Sequence, residues 1–490
     1  MKVLFLASEI EGLVKTGGLA DVARALPLEL RQQGIEVKIV IPYYKRHIDA
    51  GLDIAIPALD VSLSKGSSYG VAIRHTKIKE VSVYLIEHNR LFDRGGIYDD
   101  GYHAYEDNAV RYGVLSKAAL NLCEALDWYP DILHCNDWQT AIAPYYLKHH
   151  MVGHRGFLNT KSLLTIHNGF FQGRIPNPQR KTLGIDEIFY QSMYFEDHQM
   201  VNLLKAGIMF ADGVSTVSPG YRDELLEEKT SHGLWQTFNL RKEHFTGILN
   251  GCDYSQWNPE TDPLINKNYS LNDMSGKAVC KAELQRTFGL QIDPDRPVFG
   301  LVSRLTDQKG FDFLIPALKK ILDGKNKNAQ FIFLGSGDPV FVGKLNQLET
   351  THPDNFCFYE GYNNSLAHQI ESGSDFFLMP SLFEPCGLNQ IYSLKYGTLP
   401  IVRETGGLKN TVIGLNKNRS NIKKATGLSF KEPNVEACKK TILSAIELWN
   451  KYPEKYLQMQ KNAMYKDFSW RQSAIEYLDF YDTLISEGVL

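Results

Sequence analysis

Short apolar runs rich in β-branched residues recur along the chain, and longer segments with apolar residues three and four positions apart separate them. This is the pattern of a parallel sheet whose strands are joined by crossover helices, so the fold class expected is α/β. In the first half the candidate strands are 3–7, 37–41, 81–86, 131–135, 163–167 and 214–218, and several run into a polar or glycine-rich segment. The alternation restarts after residue 290, with runs at 298–303, 331–334, 356–359, 376–379 and 400–402. Between the two series lie Asn258-Pro259-Glu260-Thr261-Asp262-Pro263 and a polar stretch over 266–275, which read as a connection between domains. The expectation is two Rossmann-like lobes, 1–255 and 256–465, followed by a docked C-terminal helix over 466–490. In that helix Ile475, Leu478, Tyr481 and Leu484 have helical spacing. Open parallel sheets bind ligands beyond the carboxyl ends of their strands, so two facing lobes would enclose a ligand in the cleft between them.

Composition narrows the partners. The chain has 490 residues, 43% of them hydrophobic, and its formal net charge of −3 lacks the basic excess that nucleic-acid binding needs. No apolar run is long enough to span a bilayer, and the first residues turn acidic too early for a signal peptide, so a cytoplasmic protein without membrane or nucleic-acid partners is expected. The seven cysteines are scattered and never form C-x-x-C, which suggests neither a disulfide framework nor a zinc site.

Chemistry concentrates at the predicted strand ends. Lys15-Thr16-Gly17-Gly18-Leu19-Ala20-Asp21-Val22 follows the first strand and opens a helix; the paired glycines allow close approach, and free amides at a helix start favour a phosphate. Lys15 adds a full charge. Lys15, Gly17, Gly18 and Asp21 are the candidate contacts here, and the segment is not G-x-G-x-x-G, so no nicotinamide cofactor is inferred. Arg304 and Lys309, directly after the first strand of the second lobe, combine a planar fork with a compact charge, a pair suited to a diphosphate leaving group. Ser381 to Asn389 sets Glu384 beside a proline-fixed turn, which makes it the leading sugar-binding candidate; Cys386 there is read as a packed residue without a covalent role. Thr405-Gly406-Gly407 ends another strand of that lobe and offers further amides. In the first lobe, His134-Cys135-Asn136-Asp137-Trp138 and Thr165-Ile166-His167-Asn168-Gly169 each place a polar pair at a strand end. Tyr362, after Gly361, could stack on a base or simply pack.

Taken together and in this order, these segments, with Asn250-Gly251, resemble the bacterial glycogen synthase and plant starch synthase family, known as glycosyltransferase family five. The resemblance covers nearly the whole chain. It implies a GT-B fold and transfer of glucose from ADP-glucose to the non-reducing end of an α-1,4-glucan, either glycogen or a maltooligosaccharide, with retention of configuration and without cofactor or metal. By carry-over, Lys15, Gly18, Arg304 and Lys309 look like diphosphate ligands, and Tyr362 like an adenine contact. Asp137, His167, Asn250, Glu384 and the amides of Cys386, Gly387 and Leu388 look like glucose ligands. Asn389 departs from the threonine or isoleucine common in the family, and so do Arg403-Glu404 and Lys409-Asn410 around Thr-Gly-Gly; Phe170-Phe171-Gln172-Gly173 departs on the acceptor side. Two rivals are a two-lobed transferase using UDP-glucose or a small acceptor, such as a sucrose-forming enzyme, and a sugar-nucleotide-binding protein without turnover.

Overall fold

The computed structural model describes residues 1–48, 52–324 and 328–487. By internal contacts the chain forms two units: Met1–Gly251 with Trp470–Leu490, and Cys252–Ser469.

Unit 1 is built on β1 (Lys2–Leu6), β2 (Glu36–Pro42), β3 (Asp53–Ser64), β4 (Ser67–Ile78), β5 (Val81–Glu87), β6 (Ile132–Asn136), β7 (Lys161–Ile166), β8 (Arg174–Pro176), β9 (Glu196–Asp197), β10 (Met200–Asn202), β11 (Gly213–Thr216) and β12 (Phe245–Gly247). Nine of these form one sheet in the order β12-β11-β7-β6-β1-β2-β5-β4-β3, while β8, β10 and β9 make a small antiparallel sheet. The seven strands from β12 to β5 pair in parallel and bury both faces, as near-continuous apolar runs must. The edge hairpin β3–β4 is antiparallel and was not among the candidate strands. Its outer strand is exposed or half-buried everywhere except Val61 and Leu63, so it lacks the apolar run that marks the central strands. The helix Gly18–Gln32 packs through Leu19, Val22, Ala23, Leu26 and Leu30, one stripe at helical spacing.

The C-terminal helix Trp470–Ser486 returns to unit 1. Its buried face is Trp470, Ala474, Tyr477, Tyr481 and Leu484, whereas Ile475, expected on that face, points to solvent. The Tyr481 hydroxyl lies 2.7 Å from His134 Nδ1, and Ser473 donates to the Leu249 carbonyl at 2.6 Å. Helix and strand end are thereby tied together.

Unit 2 has one six-stranded parallel sheet of β13 (Val298–Leu305), β14 (Gln330–Gly337), β15 (Phe356–Glu360), β16 (Phe376–Met379), β17 (Leu399–Arg403) and β18 (Leu428–Phe430), in the order β15-β14-β13-β16-β17-β18. Its order reverses between β13 and β16, so the loops after those strands lie at a topological switch point. The linking segment is bolted to this unit: the Trp257 ring stacks between His368 and Tyr392, with centroids at 3.7 and 4.0 Å, and Asp262 accepts from Tyr396 and pairs with His368 Nδ1 at 2.7 Å. Among the described residues no helix is long and apolar enough to cross a membrane.

Candidate active site

In unit 1 the chemistry sits where β1, β6 and β7 end. After β1 the chain turns through 7–17 before the helix Gly18–Gln32 begins, and the turn is organised by Glu9. This buried carboxylate accepts from both the amide and the hydroxyl of Thr16, at 2.5 and 2.8 Å. Burial raises its pKa to about 7 against the pull of those donors, with Asp21 adding to the rise. Gly17 directs its amide to the same carboxylate, while the Gly18 amide has no acceptor among the described residues. Lys15 is held over the turn by Asp21 at 2.5 Å. Asp21 therefore engages the cation of this segment. Sequence reasoning passed over Glu9, although a carboxylate directly after a buried strand was the available signal.

At the ends of β6 and β7, Asp137 stands in the left-handed region at φ +56, a conformation costly for a residue with a side chain. One carboxylate oxygen, Oδ1, accepts from the amides of His167 at 2.7 Å and Asn168 at 3.3 Å, so it joins the two strand ends and leaves Oδ2 for a ligand. Burial lifts its pKa to about 7, with Glu9 contributing through its charge. The His167 imidazole is pushed down to about 3 by burial and is neutral at pH 7. Asn136 donates its amide nitrogen to the Leu6 carbonyl, which turns Oδ1 toward His167 Nε2 at 2.9 Å; Nε2 then carries the proton and Nδ1 the lone pair. His134, by contrast, is buried between Thr165 and Tyr481 and belongs to the packing. Asn250 is buried, and its Oδ1 has no hydrogen-bond partner among the described residues. Phe170 and Phe171 are exposed with their rings edge to face at 5.3 Å, above a loop held by Gln172, whose amide nitrogen donates to the carbonyls of Gly169 and His232.

In unit 2 the loops after β13, β16 and β17 converge. Lys309 Nζ donates to Glu384 Oε2 at 2.6 Å, and Ser381 Oγ donates to the same oxygen at 2.8 Å. Lys309 is thus paired within the protein. Gly310, at φ +75, caps this turn; a Cβ there would stand 2.3 Å from the Pro380 carbonyl, so only glycine lets the turn meet the Glu384 segment. Arg403 ties the same segment from β17 by donating to the carbonyls of Ser381 and Leu382.

Thr405 is buried and Gly407 gives its amide to the Glu384 carbonyl at 3.0 Å, so Gly407 does not offer that amide to a phosphate as expected; it serves close packing instead. A Cβ on Gly406 would fall 1.9 Å from the Glu384 carbonyl, and one on Gly407 2.3 Å from that of Cys386. Cys386 is buried, while among the described residues the amides of Gly387 and Leu388 have no hydrogen-bond acceptor and stand open to a ligand. Asn389 donates to the Val302 carbonyl at 2.7 Å and so braces the strand end before Arg304. Arg304 is exposed, and its guanidinium makes no hydrogen bond or ion pair among the described residues, while its carbonyl accepts from Ser303 Oγ at 3.0 Å. Tyr362 is 78% exposed, with its hydroxyl 3.5 Å from Asn364, and is gathered into neither cluster.

Comparison with known proteins gives a consistent picture. The family model described as starch synthase catalytic domain matches residues 2–239, and that described as glycosyl transferases group 1 matches residues 285–465. A glycogen synthase of Aeromonas salmonicida is 42% identical over 489 residues, covering 99% of each chain. The solved catalytic domain of starch synthase IV from Arabidopsis thaliana, bound to ADP and acarbose, superposes with a TM-score of 0.90 at 30% identity, again over 99% of both chains. A sucrose-phosphate synthase of Thermosynechococcus elongatus, at TM-score 0.60 and 17% identity over 99% of both chains, shares the fold alone.

Proposed function

The chain belongs to the glycogen synthase and starch synthase family of glycosyltransferases, and from that premise we propose that it moves glucose from ADP-glucose to the non-reducing end of an α-1,4-glucan with retention of configuration. The Arabidopsis relative holds ADP and acarbose, a nucleoside diphosphate and a glucan-like sugar. On this reading Arg304, Lys309 and Lys15 meet the negative charge that grows on the departing diphosphate, aided by the free amide of Gly18. Asp137 Oδ2, Asn250 Oδ1, Glu384 and the amides of Gly387 and Leu388 address the glucose hydroxyls. The observation that carries the proposal is the Lys309–Glu384 pair, an ammonium and a largely buried carboxylate at one strand end beside two unengaged amides. Such an arrangement can bind the phosphate end and the sugar end of one donor.

On this reading His167 faces the sugar ring as it gains positive charge, a place where a cationic imidazole would oppose the reaction, and its lowered pKa removes that conflict. Asp137 is committed through Oδ1 to two backbone amides, and Glu384 through Oε2 to Lys309 and Ser381. Both carboxylates are employed in holding structure, which favours same-face substitution over a glycosyl-enzyme intermediate. In that step the bond from C1 of glucose to the diphosphate oxygen breaks, and the leaving oxygen takes the proton of the incoming glucan hydroxyl as the new bond forms. Three side-chain cations supply the charge neutralisation that a divalent ion would otherwise give, so the reaction is proposed to be metal-independent. Exposed Phe170 and Phe171 suit the apolar faces of glucan rings.

A donor-by-acceptor panel tests this reading: ADP-glucose and UDP-glucose, each with glycogen, maltohexaose and fructose, in excess chelator. ADP-glucose with either glucan should dominate. Preference for UDP-glucose, for fructose, or for added metal would refute the corresponding part.

A further inference from the structure

Asn136 ends β6, the strand that lies between β1 and β7 in the sheet of unit 1. The residue is fully buried, and its backbone is clamped by Thr140: the Asn136 amide donates to Thr140 Oγ1 at 2.6 Å, and that hydroxyl donates to the Asn136 carbonyl at 2.8 Å. From this fixed base the side chain bridges the two neighbouring strand ends. On one side it meets the Leu6 carbonyl at 2.8 Å, and on the other His167 Nε2 at 2.9 Å. A carbonyl oxygen only accepts, so the nitrogen of the side-chain amide faces Leu6 and its oxygen faces the imidazole. The ring nitrogen opposite that oxygen is then the one that bears hydrogen.

No nearby group competes for this choice. Asp137 Oδ1 engages the backbone amides of His167 and Asn168 rather than the ring, and the His134 ring is occupied by Thr165 and Tyr481. His167 Nδ1 has no hydrogen-bond partner among the described residues. Burial keeps the imidazole neutral at pH 7, so a proton held on Nε2 leaves the lone pair on Nδ1. The amide is matched to its place because it donates on one side and accepts on the other. Leucine there would leave the Leu6 carbonyl and the Nε2–H both unpaired, and an ionised aspartate would set a lone pair against that carbonyl.

We propose that Asn136 is a positioning residue for glucosyl transfer: by fixing His167 with its hydrogen on Nε2, it makes Nδ1 an acceptor for one hydroxyl of the glucose being moved. The inference rests on the donor assignment made above. Its consequence is specificity, because a donor without that hydroxyl leaves the Nδ1 lone pair unpaired in an enclosed site.

Two measurements test it. The first is 15N NMR of the full chain labelled in its histidine rings, with the His167 signals assigned by their loss in His167→Gln. At pH 7 the parent should show a protonated Nε2 and a bare Nδ1, whereas Asn136→Leu, checked by thermal unfolding, should show both tautomers. The second is kcat/KM with glycogen for ADP-glucose and for analogues lacking each glucose hydroxyl in turn. Asn136→Leu should lose at least about tenfold with ADP-glucose. Removing the hydroxyl that Nδ1 accepts should cost the parent at least about tenfold, and that penalty, unlike those at the other hydroxyls, should shrink to within about threefold in Asn136→Leu. A role in packing alone would instead lower every donor by one common factor. The parent spectrum is read without donor and without the variant, so it decides the tautomer even if Asn136→Leu does not fold, and failure of the donor assignment shows separately as a parent that does not turn over ADP-glucose. Hydrogen on Nδ1 in the parent, one common factor for all donors, or full activity in Asn136→Leu would overturn the proposal.

Discussion

Replacing Glu384 with Gln removes the charge of one carboxylate and preserves its shape. The side chain is 8% exposed, and its Oε2 takes the hydrogen bonds of Lys309 and Ser381, while Lys309 is 18% exposed. A charge-assisted hydrogen bond in such an enclosed setting is worth about 1.5 to 3 kcal/mol, and each 1.4 kcal/mol is tenfold in rate. Glu384→Gln should therefore lower kcat/KM by roughly ten- to 150-fold, and Lys309→Met by a similar factor. The two side chains hold each other in place, so either single change already disturbs the partner. The double variant should then cost about 1 to 2 kcal/mol less than the two singles combined. Four proteins are compared by ADP release from ADP-glucose with glycogen, and urea unfolding checks that each is folded. Multiplicative single and double effects, or a Glu384→Gln rate within about twofold of the parent, would refute the claim that the pair works as a unit.

Further outcomes follow from the same geometry. The folded pKa of Glu9 lies at about 7, above its ordinary value of 4.5, so its burial costs nothing below pH 4.5 and a growing amount up to pH 7, reaching about 3 kcal/mol. Glu9→Gln should match the parent in stability near pH 4 and exceed it above pH 7; urea midpoints across pH decide this, and a constant difference would contradict it. Asp137→Asn should fold, because asparagine tolerates φ +56 and still accepts from the His167 and Asn168 amides, yet lose on the order of a hundredfold in kcat; Asp137→Ala should also lose about 1 to 2 kcal/mol of stability. Gly406→Ala, whose Cβ meets a carbonyl at 1.9 Å and whose φ is +44, should destabilise by about 3 kcal/mol or more and weaken donor binding, measured by thermal unfolding and calorimetry.

The alternation of apolar runs and helical spacing was sufficient to read the α/β class, because strands buried on both faces are continuous apolar stretches, as β6 and β16 are. The hairpin β3–β4 escaped this reading since half-exposed strands carry serine, lysine and aspartate along with their apolar positions. Its turn, with Gly66 at φ +90, was the legible sign. Within the candidate site, motifs at strand ends single out Lys309 and Glu384 as candidates, but their direct pairing depends on loops some 75 residues apart in sequence. Arg403 acts through carbonyl contacts that no residue pattern records, and the Thr16 amide and hydroxyl held by Glu9 are marked in the sequence only by a carboxylate following a buried strand. Gly407 was read as a donor of its amide, whereas its lack of a side chain is what the contact with Cys386 requires. Tyr362 stays at the surface because nothing in its neighbourhood encloses the ring.

The central claim is glucosyl transfer with retention from ADP-glucose, and it is tested most directly by following ADP-[13C]glucose with glycogen by NMR, in chelator, for the parent chain and Arg304→Ala. The account predicts that label enters α-1,4 linkages at chain ends in step with ADP release, and that Arg304→Ala, though folded, slows both by at least about tenfold. Free labelled glucose as the main product, a β linkage, or an undiminished rate in Arg304→Ala would contradict it.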